Sequence, residues 1–324
     1  MSQAGLAAVA TAPAGLASGS SGRFFLVSYL PTYAGALSIL WLVWAGAPGG
    51  ALSMRRAWRT AAGLGVGEIV LIAAGITVVA VVFQPLQLAM VRLLQGGWPD
   101  ALGAGLCRAR QRRRKARLER RTVLLPATGD ATPAEVTAAA VQRAGAAAAR
   151  LRRRYPLPDH LVRPTALGNV LTATFDTAGR DHGWDAAVAW PRLYPVLGDR
   201  SRALVDDSRD SLDGAVRLSV TGGATALTAA VLLSSNGWWL ALALIPLAVA
   251  RLAYHGAVQA AVAYGEAVHT AFDLHRFDLL RALHLPLPAG LDEERTRASA
   301  LCASWRQGLP PPDTYEHPEV PPAV

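Results

Sequence analysis

The sequence predicts an all-α membrane protein: four transmembrane helices, the last two extended as a cytoplasmic helical hairpin, plus a helical cytoplasmic insertion. Three observations predict it. First, Lys, Arg, Asp and Glu are absent from 31 residues between Arg23 and Arg55, 23 between Glu68 and Arg92, and 33 between Arg217 and Arg251. About 20 apolar residues cross the hydrocarbon core as a helix, so each interval reaches a span or more. Second, the last interval is too long for one crossing and contains "SSNGWW", where Asn236-Gly237 favours a tight turn. It divides into spans of about 218–235 and 238–254, which join spans at about 24–46 and 66–86. Third, 22 of the 32 basic residues lie from Arg92 to Arg217, which the positive-inside rule assigns to the cytoplasm. With four spans both termini are then cytoplasmic, and the short "RRAWR" loop, on the outer side, is the one dissenting element.

Residues 1–22 are small, nearly uncharged and rich in Gly and Ser, a composition with little to bury, and read as a disordered leader. "WAGAP" offers a small-x-small cleavage site at Ala45 and Ala47. Against cleavage, only Arg23 is basic ahead of Phe24, the apolar run exceeds a signal core, and Pro48 would follow the cut. Gly63 and Gly67 have the spacing that lets helices approach closely in lipid, as do Gly222, Ala226 and Ala230. Glu68, near the end of its span, reads as an interfacial carboxylate reaching water or pairing with Arg59, with a functional intramembrane acid as the alternative. Pro85 should kink the second span where it leaves the hydrocarbon. Beyond it Leu86, Met90, Leu93 and Leu94 keep helical spacing and suggest an amphipathic continuation.

Residues 96–198 form the basic helical region. Its loudest signal is "RARQRRRKARLERR", residues 108–121. No aromatic residues interleave the run and no recognition motif surrounds it, so no nucleic-acid partner is expected. Clusters of this kind beside a span are drawn to anionic headgroups. Arg108, Arg110, Arg112, Arg113, Arg114 and Lys115 are accordingly assigned to lipid contact, with Trp98, Trp238 and Trp239 at headgroup level. A capping box, Thr132 with Glu135, and Pro133 at the first helical position open an Ala-rich helix that closes on Arg152, Arg153 and Arg154 before Tyr155-Pro156. "TALGNVLTATFDTA" predicts a second, with Leu167, Val170, Leu171, Thr174 and Phe175 on one face.

No proline interrupts 196–245, and between Pro246 and Pro286 there are only single glycines. Both late spans should therefore run on into the cytoplasm, as arms of about 55 Å and about 70 Å at 1.5 Å per residue. Folded about Asn236-Gly237, Arg200 to Arg209 should lie roughly opposite Tyr264 to Asp273. A short helix from about Asp292 to Gln307 follows, then a Pro-rich disordered tail over 308–324.

Candidate chemistry concentrates in two places. Glu266, His269 and Asp273 fall at i, i+3 and i+7 on one helical face. Glu-x-x-His is a ligand pair in di-iron bundles, but those sites need two such pairs and two further glutamates. With Arg276 beyond them and Asp206 and Arg209 on the opposite arm, a structural polar network or a ligand contact is favoured over a metal. The second place is "RDHGWDAAVAWPRLYP", residues 180–195, where Asp181, His182 and Arg192 accompany Trp184, Trp190 and Tyr194. Pro191 and Pro195 should bracket a turn. The segment reads as an aromatic-and-arginine plug, the aromatics also suiting headgroup level, and an Asp181–His182 acid-base pair is the sharper alternative. No catalytic residue, metal or cofactor is assigned, because no G-x-S-x-G, Walker A, HExxH, G-x-G-x-x-G or kinase motif occurs. Cys107 and Cys302 read as incidental thiols in a reducing compartment.

"QGGWP" (95–99), "PTALGNVL" (164–171), "AWPRLYP" (189–195) and "FDLHRFDLLRAL" (272–283) resemble recurrent segments of multi-pass membrane proteins of high-GC Gram-positive bacteria that carry no assigned chemistry. The resemblance covers about residues 24–288 and implies topology, with no catalytic residue to transfer. Together these readings suggest a non-enzymatic scaffold or accessory subunit that couples the membrane to a protein partner or to a second copy. The alternatives are a membrane-bound enzyme at the cytoplasmic surface, with His182, Glu266, His269 and Asp273 as candidates, and an oligomeric transporter or channel component.

Overall fold

The computed structural model describes residues 20–47, 49, 52–83, 86–99, 103–122, 133–310 and 315–316; the side chains of 20–29, 83, 87, 88 and 133–137 are outside the description. The described residues are helical, with no strand among them. The α-helices are α1 (Ser20–Trp44), α2 (Met54–Ala62), α3 (Val66–Phe83), α4 (Gln87–Leu94), α5 (Ala104–Thr122), α6 (Pro133–Arg154), α7 (Ala166–Thr177), α8 (Ala186–Leu193), α9 (Asp199–Leu232), α10 (Leu244–Ala282) and α11 (Leu291–Gln307). They form two compact units. One comprises Met1–Val91 and Asp213–Ala257, the other Arg92–Leu212 and Val258–Val324, so the division falls inside both α9 and α10.

The first unit holds the apolar parts of the long helices together with α1 to α3. Two helices are long and apolar enough to cross a membrane: Asp199–Leu232, with 34 residues, and Gly237–Ala282, with 46. A third crossing is supplied if α2 and α3, bent by 110° at their junction, act as one broken span, while α1 contributes a shorter apolar helix over Leu30–Trp44. The junction corrects the small-residue stripe expected of Gly63 and Gly67. Gly63 caps the C-terminus of α2, and Gly67 lies beyond the bend with nothing close to it. Glu68 is exposed, and its Oε2 accepts the backbone N–H of nearby Gly65 at 2.9 Å in place of the Arg59 pair, satisfying an orphan donor at the start of α3.

Close approach does occur at Gly222, where an added Cβ would stand 3.2 Å from the Ala250 Cβ and backbone N, and the Ser219 hydroxyl donates to the Ala250 carbonyl at 3.1 Å. The tight turn forms as expected: Asn236 N–H bonds the Leu233 carbonyl at 2.9 Å and Gly237 adopts φ +58°. The returning arm differs in detail, because Gly237–Ala243 is 3-10 helix before α10 begins at Leu244. Beneath this turn Leu42, Ala47, Ala229, Leu233 and Ala243 form a buried cluster. The outer surface carries Val66, Leu71, Leu227, Val231, Ile245 and Leu252, each more than 60% exposed, which in water would be a large unfavourable apolar patch.

The second unit is held by backbones that meet at glycine. A Cβ on Gly168 would fall on the Gln95 carbonyl oxygen, and Gly96, at φ +81°, lies against the Pro164 ring, so "QGGWP" and "PTALGNVL" pack on one another. α6 ends at Tyr155-Pro156, and α7 opens on Thr165, whose hydroxyl accepts the Gly168 N–H at 3.0 Å. Buried Asn169 closes the preceding loop by accepting from the Arg163 N–H and donating to the Arg163 and Thr165 carbonyls. In residues 180–195, Arg180–His182 is a 3-10 turn between two left-handed glycines, and Pro191 lies inside α8 and does not bracket a turn. Thr132, Pro85, most of the leader and most of the proline-rich tail lie outside the described residues.

Gly168→Ala should lower stability by roughly 1–3 kcal/mol, the usual cost of overpacking, in thermal unfolding of the detergent-solubilised protein. Gly145→Ala, mid-α6 with nothing close to its Cβ position, should instead raise stability by about 0.5–1 kcal/mol.

Candidate functional site

The second unit gathers the polar residues into four clusters rather than one. The first lies around Glu266 and His269 on α10. Gly265, one residue before them, meets Thr174 of α7, whose Oγ1 would be 2.5 Å from an added Cβ; only glycine lets the two helices close here. A cavity of about 370 Å³ opens beside that crossing, lined by Arg152, Arg153, Glu266, His269 and Thr270 among others. Glu266 pairs with Arg153 at 3.1 Å, with both side chains more than half exposed. His269 Nε2 lies 3.2 Å from the Thr177 hydroxyl, which itself donates to the Ala173 carbonyl at 2.7 Å. The hydroxyl proton being used, the imidazole donates from Nε2 and is left with Nδ1 as acceptor. Burial pushes the His269 pKa below its ordinary value, Arg152 adds to the shift, and Asp273, Asp181 and Glu266 oppose it.

Asp273 is not among the residues lining this cavity, although its charge acts on His269. It joins a second cluster, in which His182 has Asp273 Oδ1 3.9 Å from Nε2 and Glu294 Oε2 3.5 Å from Nδ1. Glu294 is buried, in the first turn of α11, and accepts from Arg276 Nε at 2.8 Å. Arg276 also donates to the Asp273 carbonyl and covers the Phe277 ring. The Asp181 carbonyl takes a hydrogen bond from Arg295 Nε at 2.9 Å, and the ion-pair partners of His182 among the described residues are Asp273 and Glu294, not Asp181. Glu294 is the member that the sequence analysis missed; a glutamate in a helical first turn reads there only as a favourable end charge.

The third cluster corrects the placement of Asp206. It accepts from the Tyr194 hydroxyl at 2.6 Å and does not meet the Glu266 group. That hydrogen bond, more than burial, raises the Tyr194 pKa, and Arg202 and Arg209 oppose the rise. Arg202 lies over the Tyr194 ring and donates to the Pro195 carbonyl at 2.8 Å. Trp184 is buried and stacks on Trp305, with the Arg192 guanidinium 4.4 Å from the Trp305 centroid. The plug is thus packed on α11, and Trp184 is not available to headgroups. Cys302 accepts from the Asp185 N–H at 3.3 Å, and burial pushes its thiol pKa up, which makes it a poor nucleophile.

A fourth arrangement has no counterpart in the sequence analysis. His275 Nε2 lies 2.9 Å from the Ser201 hydroxyl and Nδ1 lies 2.9 Å from Asp278 Oδ2, so serine, imidazole and carboxylate stand in line. Ser201 is in the first turn of α9, and Asp278 follows His275 by three residues on α10. The aspartate sets the imidazole tautomer, leaving Nε2 able to accept the serine proton. Asp278 also pairs with Arg281 at 2.9 Å.

On the basic helix, Lys115 is not a lipid ligand. It is buried, and Nζ donates to the Leu157 carbonyl and to Asp159, each at 2.6 Å, with Glu119 at 3.7 Å. The Lys115 hydrogen bond is the main reason the Asp159 pKa is lowered. Arg110, Arg112, Arg113 and Arg114 are exposed, Arg108 is half-buried, and Trp98 donates to the Leu93 carbonyl at 2.6 Å. Trp238 is exposed and stacked on Trp239 with centroids 4.0 Å apart. Among the described residues no three His, Cys, Asp or Glu side chains come together as metal ligands. Neither family models, curated proteins nor solved structures match this chain.

Two outcomes test these clusters. Glu294→Ala, which strands the Arg276 guanidinium, should destabilise the protein by about 3–5 kcal/mol in denaturant unfolding, whereas Glu266→Ala should cost under about 1 kcal/mol. Because the His269 pKa is lowered in the folded state, the unfolded chain binds its proton first as pH falls below 6.5. Stability should therefore decline through that window, and His269→Gln should flatten the decline in thermal unfolding run from pH 7.5 downwards.

Proposed function

We propose that this chain is a non-enzymatic integral protein of the cytoplasmic membrane, a scaffold or accessory subunit coupling the bilayer to a cytoplasmic protein partner or to a second copy. The observation that carries this reading is helix length. The stretches Asp199–Leu232 and Gly237–Ala282 have 34 and 46 residues, whereas about 20 cross the hydrocarbon. Their apolar parts belong to the first unit and their polar parts to the second, so each supplies a surplus of helix on which a partner can act. A paired hairpin is supported in each unit by its own contact, Ser219 with Ala250 in one and Ser201 with His275 in the other. Four crossings follow if α1 and the bent α2–α3 pair both span. The positive-inside rule then puts both termini and residues 96–217 in the cytoplasm. Arg108, Arg110, Arg112 and Arg113, with Trp98, Trp238 and Trp239, are the residues for headgroup contact. The resemblance of four segments to those of multi-pass proteins of high-GC Gram-positive bacteria would imply this topology and adds no chemistry.

Leu204 and Leu274, 55% and 63% exposed, lie on the polar parts of α9 and α10 and mark where a partner protein would dock. A photo-crosslinking residue at either position should give one discrete protein adduct in cells, and one at Arg143 none; lipid adducts alone would remove the coupling role. Topology reporters fused after Arg108 and after Ala289 should both report cytoplasm, and opposite sides would remove the four-span arrangement.

The enzyme reading has its own support in the Ser201–His275–Asp278 line. If Ser201 is a nucleophile, a fluorophosphonate probe should label the full-length protein, and both Ser201→Ala and His275→Gln should abolish labelling. On the scaffold reading no labelling occurs, and Ser201→Ala costs only the hydrogen bond, about 1 kcal/mol of stability.

A further inference from the structure

A second cavity in the second unit, of about 300 Å³, is walled by five arginines: Arg114, Arg117 and Arg121 from α5, and Arg150 and Arg154 from α6. The α5 residues recur at i, i+3 and i+7 and the α6 pair at i and i+4, so each helix turns one basic face to the opening. Among the described residues none of the five makes an ion pair or hydrogen bond within the protein, although their neighbour Arg153 pairs with Glu266 and Lys115 with Asp159. The acid carried by α5, Glu119, is engaged with Lys115 instead.

Five like charges converging on one concavity repel one another, and among the described residues no carboxylate lines it. The floor is different in kind: Ala166 and Val170 of α7, Val258 of α10 and the buried Tyr155. The Tyr155 hydroxyl donates to Gln111 Oε1 at 3.0 Å, which fixes the phenol between the arginines and the apolar floor. Guanidinium groups on two facing helices suit a multiply charged oxyanion, since their planar forks bind phosphate oxygens two at a time. The volume sits at the low end of small-ligand sites.

We propose that this cavity binds a phosphate-bearing anion of two or more negative charges, clasped between the arginines of α5 and α6, with its organic part, where it has one, on the Val170–Val258 floor. The phosphate belongs to a soluble polyphosphate or to a lipid headgroup; the recognising chemistry is the same. The proposal stands on the cavity alone and does not depend on the coupling role.

The test uses the full-length protein at about 0.15 M salt, where diffuse surface attraction is screened beyond about 8 Å. In one arm, protein in phosphatidylcholine nanodiscs is titrated calorimetrically with inorganic pyrophosphate. In the other, nanodiscs of phosphatidylcholine with a minor share of phosphatidic acid are examined by native mass spectrometry for retained lipid. Saturable binding of one equivalent is expected in at least one arm, and the arm identifies the source. Arg114→Gln/Arg154→Gln should weaken it by at least about tenfold, as loss of two charge-assisted contacts requires. Arg120→Gln/Arg143→Gln, which removes the same charge from the same two helices outside the cavity, should change it by less than about twofold. Thermal unfolding accompanies each variant, and Arg117→Gln/Arg121→Gln replaces the first pair should that pair unfold. Non-saturable binding in both arms, or equal loss in cavity and control variants, overturns the proposal in favour of diffuse charge.

Discussion

A helix crosses the bilayer in about 20 residues, and α9 and α10 do not stop there. What each has beyond that length is polar helix, and the second unit is assembled on it. Gly265, His269, Phe272, Asp273, His275 and Arg276 all lie in the last 18 residues of α10, and each is the anchor of a different contact. Remove the continuity of this helix and the α7 crossing, the α11 ion pair and the α9 hydrogen bond would lose their common backbone. The apolar half meets a different constraint, since lipid demands only that backbone groups be satisfied and side chains be greasy.

Within the second unit, close packing is achieved less by large side chains than by their absence. Gly96, Gly168, Gly179, Gly183 and Gly265 each admit a neighbour where a Cβ would collide. Gly179 receives Phe272 and Trp184, and Gly183 receives the Arg295 backbone, which seats the turn at 180–182 between α10 and α11. The four segments quoted from the sequence pair along these contacts. "QGGWP" packs on "PTALGNVL", and Trp190 of "AWPRLYP" meets Phe272 of "FDLHRFDLLRAL" at 6.1 Å. These segments thus interlock by shape.

Charge in this unit is handled in two ways. Buried charges are paired: Lys115 with Asp159 and the Leu157 carbonyl, Arg276 with Glu294. Taking such groups from water is costly, and only complete partnering offsets it. Exposed arginines of α5 and the end of α6 are left to solvent and gather round a concavity instead. The same helix therefore carries one structural cation and several free ones, a distinction that a run of basic letters conceals.

Apolar runs, the Asn236-Gly237 turn, the helices at 133–154, 166–177 and 291–307, and the length of the late helices were legible in the sequence, because each depends on local propensity, spacing or a break. The polar site was only half legible. Glu266 and His269 do share a cavity wall as helical spacing implies, but Asp273 goes to His182, Asp206 to Tyr194, and Lys115 inward to Asp159. Periodicity tells which residues share a face and says nothing about which helix arrives opposite. That choice was made by the tertiary structure, through glycine crossings that set where α7, α10 and α11 meet, and so brought Glu294 to Arg276 and Ser201 to His275 across 18 and 74 residues of chain.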